Sequence, residues 1–141
     1  MSIPSYGRAA PPSAPAIRAT SVTVMSPAPR RLAAFYAALL SAPVTAEEPA
    51  RPGEPEDAGW AQVSARDLTV NFEWERHWRT PRWPAQAGAQ TSTQHLDLRV
   101  DDLEAAARWA VECGAVRAAH QPQDDVVVLL DPSGHPFCLF R

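Results

Sequence analysis

The sequence predicts an α+β fold: two βαβββ modules forming a curled mixed sheet around a concave cavity, with one helix on the back of each half. Three observations carry this. Two amphipathic helical stretches are each preceded by one strand-like run and followed by three. Apolar and polar residues alternate with a period of two in the strands, so each sheet has one face for a helix and one left open. The order strand, helix, three strands occurs twice, and two such halves side by side would share a concavity lined by the open faces.

At 141 residues the chain has the length of one domain with a real core. Residues 1–16 are Pro- and Ala-rich, lack the apolar run of a signal peptide and read as a disordered leader before a domain at 17–141. Module one is assigned to 17–75, a linker to 76–92 and module two to 93–141. No stretch approaches the ~20 apolar residues of a membrane span. With a formal net charge of −3 and scattered basic residues, the chain lacks a nucleic-acid footprint. All 13 basic residues are arginine, so lysine Schiff-base chemistry is excluded. Cys113 and Cys138 have no C-x-x-C spacing and read as reduced thiols of a cytoplasmic protein.

In module one, IRATSVTVM (17–25) is rich in β-branched residues and reads as a strand. Pro27 and Pro29 break it. Leu32, Phe35, Tyr36, Leu39 and Leu40 then form a helical stripe over 30–40, wide enough to cover a sheet. Residues 44–47 suit a short strand, and EPARPGEPEDA (48–58) an exposed loop whose acidic residues read as solvated. Residues 60–65 and 68–75 make a hairpin. In its second strand Leu68, Val70, Phe72 and Trp74 face the helix, while Thr69, Asn71, Glu73 and Glu75 face away. The connection at 76–92 holds two tryptophans and three arginines, a composition for a segment that packs, as a lid or a linker.

Module two opens with QHLDLRV, where Leu96, Leu98 and Val100 alternate with His95, Asp97 and Arg99. Asp101 and Asp102 can cap the helix that follows. Leu103, Ala106, Ala107, Ala110 and Val111 make its stripe, and Gly114 its stop. Strands are expected at 116–120, at 125–130, apolar enough to be buried on both faces, and at 136–141. In the last, Phe137 and Leu139 alternate with Cys138 and Phe140. The turn DPSGHP joins these two strands, with Asp131 bracing it through its side chain. His77 and His120 are placed at the surface.

The segments RRLAAFYAALL, HLDLRVDDLEAAARWAVECGA and VVLLDPSGHPFCLF resemble the vicinal oxygen chelate superfamily, and within it the glyoxalase-like proteins. The resemblance covers residues 17–141. It implies paired βαβββ modules, frequent homodimers, and often a divalent metal that chelates adjacent substrate oxygens. It also implies metal ligands at about Ser21, Asn71, His95 and Cys138, where metal-binding relatives carry His, Gln or Glu. Only His95 fits, with Glu73 two residues from Asn71 on the same face. One imidazole, one amide and one thiol make a poor set for Fe, Mn, Ni or Mg, while a His–Cys pair suits Zn. No metal and no cofactor are expected; Zn, Ni, Mn or Fe is the alternative.

The candidate residues have two readings each. His95 is a proton carrier or ligand donor, or it only hydrogen-bonds Asp97 or water. Asp97 orients that imidazole or is a solvated strand residue. Glu73 is a base, or Glu73 and Asn71 only hydrogen-bond across the strands. Trp60, Gln62, Asn71, Cys138 and Phe140 point toward the concavity, and Trp78 and Trp83 ride the connection as lid candidates. Tryptophan there supplies flat area for an aromatic or cationic ligand, or packs core and dimer. The leading expectation is a protein that binds a small apolar or aromatic metabolite without a metal, for sequestration or resistance. The alternatives are a glyoxalase-type lyase or isomerase using His95 or Glu73, and a structural or protein-interaction module. The expected partners are a small molecule and a second copy of the chain, with neither nucleic acid nor membrane.

Overall fold

A computed structural model describes residues 13–141. Most of the leader therefore lies outside the described residues. The chain runs β1 (Ser21–Ser26), α1 (Pro29–Leu40), β2 (Val44–Glu48), β3 (Trp60–Ser64), β4 (Thr69–Trp74), β5 (Asp97–Arg99), α2 (Leu103–Cys113), β6 (Val116–Arg117), β7 (Val126–Leu130) and β8 (Pro136–Phe140). This is the expected pair of βαβββ modules. Each forms a four-stranded sheet, ordered β1-β4-β3-β2 and β5-β8-β7-β6. The first strand of each module pairs in parallel with its last, and the other pairings are antiparallel.

Local chemistry sets the helix limits. Pro29 occupies the first turn of α1, where its missing N–H costs nothing. Ser26 Oγ accepts from the Ala28 N–H at 2.9 Å just before it. Ser41, at φ 48°, closes α1 in the left-handed conformation. In α2, Asp102 accepts from the Ala105 N–H at 3.0 Å, and Gly114 (φ 123°) supplies a stop that a side chain would strain.

The two modules share one core. Leu32, Phe35 and Tyr36 of α1 lie with Val63, Val70 and Phe72 of sheet one and with Leu129, Phe137 and Leu139 of sheet two. The Tyr36 ring stacks on Phe72 at 5.5 Å and meets Phe137 edge-on at 6.1 Å. Two buried hydrogen bonds also cross between the modules: Tyr36 Oη to Asp131 Oδ2 at 2.7 Å, and Ser26 Oγ with Ser133 Oγ at 2.8 Å.

Three local expectations differ from what forms. β5 starts at Asp97, leaving His95 just before it, although the Leu96 carbonyl still accepts from the Cys138 N–H at 2.9 Å. β6 is two residues long because the Gln121 side chain takes over the pairing of β7. It accepts from the Val128 N–H at 2.9 Å and donates to the Val128 carbonyl at 2.8 Å. Trp74, expected against the helix, is half-buried at the end of β4 beneath the Arg76 guanidinium, 5.2 Å from its ring centre. The helix-facing row ends one pair earlier, at Phe72.

The connection at 76–92 packs, as its aromatic content implies. Arg82 and Thr91 form a bridge, Pro81 is buried, Trp78 lies 5.0 Å from the His135 ring and Trp83 5.5 Å from the His120 ring. Among the described residues, no helix is long and apolar enough to cross a membrane.

Candidate functional site

The open face of sheet one is a set of cross-strand rows. Strand pairing puts Glu48, Trp60 and Glu73 in one row and Gln62 and Asn71 in the next. The second row is tied up internally. Gln62 Nε2 donates to Asn71 Oδ1 at 2.9 Å, Asn71 Nδ2 donates to Ser21 Oγ at 3.3 Å, and Thr45 Oγ1 donates to Gln62 Oε1 at 2.9 Å.

On sheet two, pairing sets Asp97 opposite Cys138, and the i, i+2 spacing brings His95 to the same face. His95 Nε2 lies 3.2 Å from Asp97 Oδ1. One donor atom each from His95, Asp97 and Cys138 falls within 4.8 Å of the others. Burial pushes the Cys138 thiol up from its ordinary range, and the charge and hydrogen bond of Asp97 push it further. The thiol is therefore protonated at neutral pH. Asp97→Asn is expected to speed its alkylation by iodoacetamide at pH 8, followed by mass spectrometry with Cys113 as internal reference. Equal rates in variant and parent would contradict this.

Between the modules lies a cavity of about 900 Å³. Val22, Val24 and Leu96 give it apolar walls, and Trp78, His95 and His135 line it too. Among the residues singled out in the sequence, Trp78 and His95 meet here. Trp60 and Glu73 line a second cavity of about 350 Å³. Gln62, Asn71, Asp97, Cys138, Phe140 and Trp83 line neither.

Tyr36 and His135 line the larger cavity without having been singled out for it, and Asp131 behind them holds both. Asp131 braces its turn as expected, accepting from the N–H groups of Ser133 (2.9 Å) and His135 (3.0 Å). Its fully buried carboxylate also accepts from Tyr36 and lies 2.9 Å from His135 Nδ1, which fixes the imidazole at the cavity wall. Tyr36, placed in an apolar stripe, carries a hydroxyl that has to find a partner when buried. That requirement was the available signal.

A family model described as glyoxalase-like domain matches residues 21–140, and the chain belongs to that family. Its fold is also that of the fosfomycin resistance protein FosX from Mesorhizobium loti, with TM-score 0.62 and 12% identity over 87% of this chain and 90% of that one. FosX from Listeria monocytogenes, solved with Mn(II) and a sulfate ion, gives 0.63 and 10% over 86% and 89%. An antibiotic-binding protein from a Streptomyces species gives 0.55 and 18% over 90% and 98%. Comparison with the curated proteins gave no significant match.

The donors present do not suit a hard divalent ion such as manganese, which takes oxygen and imidazole ligands. On module one the corresponding positions are Ser21 and Asn71, hydrogen-bonded to each other. On module two the soft sulfur donor of Cys138 stands where a hard anionic oxygen would be needed. The His95, Asp97 and Cys138 cluster has the donor types of zinc.

Proposed function

We propose that this glyoxalase-like chain binds a small apolar or aromatic metabolite in the cavity between its modules without a metal, as a binding, sequestering or resistance protein. The observation that carries the proposal is the cavity itself. Its size lies in the range of small-molecule sites, and it combines apolar walls and a tryptophan with polar and charged groups, among them Glu75, Arg79, His95 and His135. Kinship of fold with a resistance protein and an antibiotic-binding protein lends weight. Trp78 supplies the flat contact and His95 and His135 the polar ones. The test is a thermal-shift screen of chelator-treated protein against apolar and aromatic compounds, antibiotics included. Hits are expected to raise the Tm of the parent and to lose most of that shift in Trp78→Ala. A screen without hits would overturn the proposal.

The second reading is a lyase or isomerase, and the His95, Asp97 and Cys138 cluster favours it. There His95 would carry a proton next to a carbonyl or, with Asp97 and Cys138, hold zinc. Glu73 lines the other cavity, so this reading rests on His95. His95→Ala separates the two, since it would abolish turnover but weaken a contact dominated by aromatic area only modestly. We also infer a cytoplasmic homodimer. The reduced thiols support the compartment. The outer edges of β1 and β5, each paired on one side only, support the second copy. Sedimentation equilibrium at micromolar concentration checks the mass.

A further inference from the structure

The larger cavity holds one imidazole whose orientation the fold fixes. The Asp131 side chain is fully buried, and both its oxygens meet donors: the Tyr36 hydroxyl on Oδ2, and the N–H groups of Ser133 and His135 on Oδ1. His135 Nδ1 lies 2.9 Å from Oδ2 and 3.0 Å from Oδ1. A carboxylate only accepts, so Nδ1 carries a hydrogen toward it. On the neutral ring Nε2 is then left with its lone pair. Among the described residues Nε2 has no hydrogen-bond partner, and no unpaired side-chain nitrogen is buried, so Nε2 is open at the cavity wall.

The surroundings of that nitrogen point to what meets it. Trp78 lies 5.0 Å from the His135 ring, centre to centre, so an aromatic surface stands beside the open nitrogen. Gly134 lets the two segments approach. It sits at φ 91°, and a β-carbon there would collide with the Thr80 side chain. The other imidazole singled out at this cavity, His95, turns its Nε2 toward Asp97 at 3.2 Å. The charged lining is one carboxylate, Glu75, against the Arg79 guanidinium and the imidazoles of His77, His95 and His135. That balance favours a neutral or anionic ligand over a cation.

We propose that His135 Nε2 selects, in the cavity between the modules, an aromatic ligand bearing an acidic hydroxyl, a phenol, with its ring against Trp78. The inference rests on the small-molecule reading of that cavity and narrows its ligand class. A phenol suits both charge states of the imidazole. Its O–H donates to Nε2 of the neutral ring, and its oxyanion accepts from the Nε2–H of the imidazolium. In either state Asp131 keeps Nδ1 paired and the ring in place, so little side-chain freedom is lost on binding. An ether of the same ring has no hydrogen to donate and forms no oxyanion.

The test is calorimetric titration of the chelator-treated full chain with 4-nitrophenol and with its methyl ether, 4-nitroanisole, which share one ring. The phenol is expected to bind about tenfold more tightly, the worth of one such hydrogen bond. His135→Asn keeps a donor nitrogen near the Nδ1 position for Asp131 and removes Nε2. It is expected to bring the phenol down to the affinity of the ether and to leave the ether as in the parent. Trp78→Ala is expected to weaken both. Circular dichroism checks that His135→Asn folds; if it does not, the two ligands compared on the parent decide alone. An ether that binds as tightly as the phenol, or a phenol preference that survives in His135→Asn, would overturn the inference and leave the cavity reading standing. Binding of neither compound at millimolar concentration would overturn it as well, and the cavity reading then falls only if the wider screen is empty.

Discussion

Alanine in place of Asp131 is expected to destabilise the fold by about 3–5 kcal/mol, because several buried donors lose their acceptor at about 1–3 kcal/mol each. The carboxylate is fully buried and serves the Tyr36 hydroxyl, two backbone N–H groups and His135 Nδ1. Its loss leaves each of these without that acceptor. Urea unfolding followed by tryptophan fluorescence measures the effect. A loss below about 1 kcal/mol, the net value of one ordinary hydrogen bond, would show that the network is not holding the modules together.

The same contact predicts a pH dependence. Burial, then the charge and hydrogen bond of Asp131, hold the Tyr36 phenol well above the ordinary tyrosine range. The unfolded chain therefore releases this proton first as pH rises. The stability tied to neutral Tyr36 is whole below the ordinary tyrosine pKa of about 10 and falls as pH climbs from there toward the raised value. Tyr36→Phe is expected to remove that slope, together with about 1.5–3 kcal/mol for the lost bond to a carboxylate.

Phe137→Ala is expected to cost about 3–5 kcal/mol, the range for deleting a buried aromatic ring. Phe137 is fully buried and lies 6.0 Å from Phe35 and 6.1 Å from Tyr36, ring centre to ring centre. It is a β8 side chain packed on the helix of the other module. The cavity between the modules is bounded by elements this contact keeps in register, so loosened packing should appear as weakened ligand binding as well as a lower urea midpoint. A variant that loses stability but binds as the parent does would show that the cavity is set by the connection at 76–92 instead.

Much of the fold was legible because it is local. The stripe of α1, the Asp102 cap, the Gly114 stop and the alternation in β8 each involve residues within a turn or two of one another. His95, Asp97 and Cys138 could be placed on one face because strand alternation and the family resemblance both put them there. What joins the modules was not legible. Tyr36 and Asp131 are 95 residues apart, and no local pattern records that their side chains meet. For the same reason, which candidates share a cavity could not be read: Trp60 and Glu73 separate from Trp78 and His95 only once the modules pack. The acidic residues read as solvated, and Glu47, Glu48, Glu56 and Asp57 are exposed, but no local pattern records that their loop returns beside Trp60. β6 was drawn too long because nothing in its own residues shows that Gln121 replaces a strand.

The most direct measurement is a fluorescence titration of chelator-treated protein with an aromatic ligand from the screen, run in parallel on the parent, Trp78→Ala and His95→Ala. The account predicts saturable quenching in the parent, a large loss of affinity in Trp78→Ala, a modest one in His95→Ala, and no change when zinc is added. Binding that appears only with zinc and vanishes in His95→Ala would contradict it and move the chemistry to the His95, Asp97 and Cys138 cluster.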